Sequence, residues 1–98
     1  MLIKAGVDIS RLERNTRRSL NKVAYIFSDE SELFIITSTY EGNHSEGSLH
    51  YANQAYDVRL PVENKLRILA RIQEVLTTDF DVIMYELIFH IEYDPKGG

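Results

Sequence analysis

Three histidines and a set of carboxylates are the side chains of this 98-residue chain best suited to chemistry. There is no cysteine, which excludes disulfides, thiolate zinc fingers, iron–sulfur clusters and cysteine nucleophiles. A bound metal would therefore have to be held by imidazole and carboxylate. His50 follows a polar stretch, Glu41 to Leu49, that contains Gly42 and Gly47, and Asp57 lies in the alternating segment after it. His90 comes much later, in a second alternating segment with Glu86 and Glu92. Neutral imidazole and carboxylate are good zinc ligands, and a catalytic zinc keeps three protein ligands and one open position. His50, Asp57 and His90 supply that number if the two segments are neighbouring strands. Taken singly, each also has an ordinary reading: a loop histidine, an edge-strand charge and a solvent-facing histidine.

The elements that must position these groups follow from periodicity. Ile9, Leu12, Thr16, Leu20, Val23 and Phe27 recur at spacings of three and four, which predicts a helix over about 9–27. Arg11, Arg14, Arg17, Arg18 and Lys22 occupy its other faces, either as a solvated surface or as a contact for an anionic polymer or partner. Leu33 to Thr37 is short, apolar and β-branched, and reads as a buried strand. Ala55 to Leu60 alternates, with Tyr56, Val58 and Leu60 on one face and Ala55, Asp57 and Arg59 on the other. Pro61 ends that strand and suits the start of a second helix over about 62–77, whose stripe is Leu66, Leu69, Ile72, Val75 and Leu76. Val82 to Tyr93 reads as one last strand. Its core face is Tyr85, Leu87, Phe89, Ile91 and Tyr93, and its polar face carries Glu86, His90 and Glu92. The order helix, strand, loop, strand, helix, strand implies an α+β fold: one domain over 1–98, with two main helices packed on a small antiparallel sheet.

Composition sets outer limits. The formal net charge of -4 gives no overall basic field, so a general phosphate-binding surface and a nucleic-acid partner are not expected. No stretch approaches the ~20 apolar residues of a membrane span. Met1 to Asp8 holds one lysine and no long apolar run, so no secretory signal is expected there and synthesis is expected to be cytoplasmic. The chain is expected to be a monomer. A hydrophobic fraction of 44% supports only a small core, and a bound metal is one remaining way to staple a domain without disulfides.

The stretch Ser48-Leu49-His50-Tyr51, with Ala55 and Asp57, resembles the S-x-H-x-x-G-x-A-x-D motif of zinc D-Ala-D-Ala peptidases. It is closer still to the same region of the Hedgehog signalling domain, H-S-E-x-S-L-H-Y-x-x-x-A-x-D, which His44, Ser45, Glu46, Ser48, Leu49, His50, Tyr51, Ala55 and Asp57 match. Tyr85-Glu86 followed by Phe89-His90-Ile91 is similar to the last strand of both groups. The chain departs from the pattern in places. Asn53 stands for the motif glycine, and Thr37-Ser38-Thr39-Tyr40-Glu41 lacks the arginine that many such peptidases carry. The acidic calcium-binding cluster of Hedgehog domains is not reproduced, with Glu41 as a remnant.

The resemblance implies the Hedgehog/DD-peptidase fold and one Zn2+ held by His50, Asp57 and a ligand from the last strand. Aligned on the peptidase pattern that ligand is His90; aligned on the Hedgehog glutamate it is Glu92. Glu86 takes the place of the family's general base, and His44 either assists the transition state, lines the substrate groove or is a plain loop histidine. The implied activity is hydrolysis of a peptide bond in bacterial peptidoglycan, as a carboxypeptidase or endopeptidase of the kind phages use for lysis. The alternative is a non-catalytic, zinc-stabilised binding module of the same fold.

Overall fold

The computed structural model describes residues 1–39 and 54–95. The elements are β1 (Leu2–Ile3), α1 (Arg14–Asp29), β2 (Ile35–Thr39), β3 (Ala55–Arg59), α2 (Lys65–Leu76), a single 3-10 turn (Thr77–Asp79), β4 (Phe80–Met84) and β5 (Ile88–Tyr93). They build an α+β domain around one five-stranded sheet in the order β1-β2-β3-β5-β4.

The core lies between one sheet face and the two helices. Ile36, Tyr56, Val58, Val82, Phe89 and Ile91 face it from the strands. Leu20, Val23, Ile26 and Phe27 face it from α1, and Ile68, Ile72 and Leu76 from α2. The Phe27 ring sits 5.3 Å from Phe34 and 6.3 Å edge-on to Phe89. Such pairs add about 0.5–1.5 kcal/mol each beyond burial. One polar contact is buried with them: Ser19 Oγ on α1 is 2.7 Å from the Tyr56 hydroxyl and donates to the Thr16 carbonyl at 2.6 Å.

Four features depart from the sequence expectation. First, α1 begins at Arg14 rather than near residue 9, because the Glu13 carboxylate accepts from the backbone N–H groups of Asn15 and Thr16 and caps the helix there. Leu12 is nevertheless buried, from the turn that precedes the helix. Second, the sheet is mixed rather than antiparallel, since β1 pairs parallel to β2; two residues are too short a strand to show a period.

Third, the segment 82–93 is not one strand. The Tyr85 N–H donates to the Ile88 carbonyl at 2.8 Å, which closes a β4–β5 hairpin with Glu86 and Leu87 as its loop. The inward residues change parity across that turn: Val82 faces the core from β4, and Phe89 and Ile91 from β5. Tyr85 and Leu87, read as core, are 54% and 74% exposed. Fourth, α2 begins at Lys65, four residues after Pro61. Asn64 adopts a left-handed conformation at φ 58° and makes no side-chain cap. Glu32 reaches across instead, accepting from the N–H groups of Val62 and Glu63. Leu66 and Val75, read as part of the apolar stripe, are exposed, and Ile68 is the buried residue at that end.

Candidate metal centre

The sheet face away from the helices carries the polar positions of each strand. β3 lies between β2 and β5, so a residue on this face of β3 has neighbours on both sides. Asp57 is the register partner of Ser38 on β2 and of His90 on β5. The contacts follow from that placement. Asp57 Oδ1 is 2.8 Å from His90 Nδ1, and Ser38 Oγ donates to Asp57 Oδ2 at 2.9 Å. On the far side of the ring, His90 Nε2 is 3.2 Å from Glu92 Oε1. All three ionisable side chains are held half-sheltered, 13–14% exposed.

The ring of His90 therefore has a carboxylate at each nitrogen. The hydrogen bond to Asp57 raises the imidazole pKa above its ordinary value, with Glu92 adding to it and partial burial opposing. When the ring is protonated, each of its N–H groups meets a carboxylate, and the trio carries one net negative charge. The Tyr85 ring packs edge-on to His90 with centroids 6.4 Å apart.

Two donors of the types zinc takes are present. Asp57 Oδ1 and His90 Nδ1 stand at a hydrogen-bond distance of 2.8 Å, and because ligand atoms of a tetrahedral ion at bond lengths of about 2.0–2.2 Å lie about 3.3–3.6 Å apart, the pair would have to open slightly to hold one. They stand on hydrogen-bonded neighbouring strands, and Ser38 orients the second carboxylate oxygen, as outer partners of metal ligands commonly do.

The sequence-derived residues divide into three groups. Asp57, His90 and Glu92 are brought together. Between the last two, His90 is the direct cross-strand partner of Asp57, whereas Glu92 pairs in register with Ala55. Glu86 is not on the strand face with His90, as expected, but exposed in the hairpin loop, because the turn falls where a continuous strand was read. His44 and His50 lie outside the described residues, as does most of the motif.

A second acidic group was missed. Asp81, Glu92 and Asp94 each bring a carboxylate oxygen within 4.8 Å of the others, so this trio could hold a metal ion. Its all-oxygen donor set suits a harder cation than zinc. Asp81 faces Glu92 across the β4–β5 ladder, so the trio becomes visible only once the hairpin is in place. Alternation of Glu92 and Asp94 was the available signal. No protein-family model, curated protein or solved structure matches the chain.

Proposed function

We propose that the chain is a zinc-dependent peptide hydrolase acting on bacterial peptidoglycan, with Asp57 and His90 among its metal ligands. The observation that carries this reading is the 2.8 Å approach of Asp57 Oδ1 to His90 Nδ1 across adjacent strands. The motif resemblance adds His50 as the third ligand and supplies the substrate class.

When bound, zinc would lower the pKa of water and polarise a carbonyl. The chain's own residues do the rest. Asp57 and His90 would hold the ion from neighbouring strands, and Ser38 fixes the orientation of Asp57. Glu86 accepts a proton from the attacking water and passes it to the leaving amine.

The test is hydrolysis of purified peptidoglycan in the presence of zinc. New amine termini should appear with the wild type and drop by about a hundredfold or more in Glu86→Gln, within the usual contribution of a general base. Stoichiometric zinc with no hydrolysis by either protein would defeat the enzyme.

One observation favours a second reading, a zinc-stabilised binding module without catalysis. Glu86, the residue assigned the proton transfer, sits exposed in a loop rather than beside His90. Under that reading the Glu86→Gln protein binds zinc and peptidoglycan as the wild type does, and neither releases amines.

A further inference from the structure

Helix α1 carries a charge pattern that the metal centre does not use. Its buried stripe is Thr16, Ser19, Leu20, Val23, Ile26 and Phe27. Arg14, Arg17, Arg18 and Lys22 project from the opposite, exposed face. At 1.5 Å rise per residue they span about 12 Å along the axis. In a chain of net charge -4 this is a concentrated cationic strip. Among the described residues none of the four makes an ion pair, whereas Arg67 and Arg71 of α2 are tied to Glu30 and Asp29.

The strip also runs against the helix dipole. A helix is stabilised by acidic residues in its first turn and basic ones in its last. α1 has neither, and instead opens on arginines and closes on Asp29. A face placed only for solubility gains nothing from this order. The Glu13 carboxylate already caps the helix N-terminus, so the attraction for an anionic ligand comes from the arginines and Lys22 rather than from the dipole. Beside the strip opens a mainly polar recess of about 250 Å³, where Arg18 and Lys22 stand opposite the single carboxylate of Asp79, with Val75, Phe80 and Tyr93 completing its wall.

We propose that this face binds a linear, flexible phosphate polymer, with Arg14, Arg17, Arg18 and Lys22 pairing its charges and the recess taking one phosphate group. Two features of the face select this class. Tyr25 is its one exposed aromatic among the described residues, so there is no series of platforms on which nucleic-acid bases stack. Its exposed apolar neighbours are Tyr25 and Val75, a flank much smaller than a helix lying in a membrane surface needs.

The experiment is calorimetric titration of the full chain with inorganic polyphosphate over a series of salt concentrations. The wild type should bind at low salt and weaken linearly in log Kd against log salt. Arg14→Gln/Arg18→Gln should weaken binding about tenfold or more and flatten that slope by one to two units, each lost cation removing somewhat under one. Arg17→Gln/Lys22→Gln should do the same, and Lys65→Gln, outside the strip, should change Kd less than about twofold. The Arg14/Arg18 variant should melt no lower than the wild type, since a repulsion with the dipole has been removed. No binding at low salt, an equal loss in Lys65→Gln, or tighter binding to duplex DNA or phosphatidylglycerol vesicles than to polyphosphate would overturn the proposal.

Discussion

Asp57 and His90 face each other across the β3–β5 ladder, and the imidazole Nδ1 lies 2.8 Å from the carboxylate Oδ1. Because the pair is fixed by strand register, its geometry depends on the backbone rather than on two flexible side chains meeting by chance. Ser38 extends the same logic one strand further.

Zinc affinity should therefore depend on all three residues in a graded way. Asp57→Ala and His90→Ala remove donor atoms and should cost the most. Ser38→Ala removes only the orienting hydrogen bond and should weaken zinc about 10–100-fold. Competition against a chromophoric chelator measures each. Zinc must also displace the proton that Asp57 favours on His90. Affinity should fall as pH drops below the raised His90 pKa, by about tenfold per unit for one proton.

Under the proposed function, a zinc-loaded chain should lose stability when the ion is removed. An ion joining β3 to β5 ties together segments more than thirty residues apart, and its binding free energy adds to that of folding. Chelation followed by calorimetry should lower Tm markedly. An unchanged melt, with zinc shown to be gone, would rule out a stapling role.

Acid should weaken the junction of the two helices. Glu30 accepts hydrogen bonds from Arg67 at 2.6 Å and Arg71 at 2.8 Å, which holds its carboxyl below the ordinary 4.5. A depressed folded pKa means stability present above the unfolded value and lost as pH falls through the folded one. Melting temperature against pH should drop more steeply in the wild type than in Glu30→Gln below pH about 4.5. At pH 7 the variant should be the less stable of the two.

Tyr56 and Ser19 should behave as a coupled pair. Burial pushes the Tyr56 hydroxyl far above the usual tyrosine pKa, and Ser19 is the partner that partly offsets this. Ser19→Ala leaves a buried hydroxyl without that partner and should cost about 1–3 kcal/mol. Tyr56→Phe should cost less, because Ser19 keeps the Thr16 carbonyl. Urea denaturation of both single variants and the double variant gives the coupling, expected at about 0.5 kcal/mol or more.

Periodicity located the inward face of α1 and the inward residues Tyr56, Val58, Phe89 and Ile91, but misplaced Leu66, Val75, Tyr85 and Leu87. The buried stripe of α1, the split of β3 into Tyr56 and Val58 against Asp57, and the shared face of His90 and Glu92 were all legible, because side-chain direction within a regular element depends only on local backbone geometry. So was the choice of donor types, since composition left only nitrogen and oxygen. What local geometry cannot carry is which elements meet. The β4–β5 turn hides inside an alternating run, and finding it moved Glu86 into a loop, exposed Tyr85 and brought Asp81 opposite Glu92. The parallel pairing of β1, the hold of Glu32 on the turn before α2 and the register that sets Asp57 against His90 are likewise contacts between distant segments. They are decided by how the apolar faces pack, a property of the whole chain rather than of any window along it.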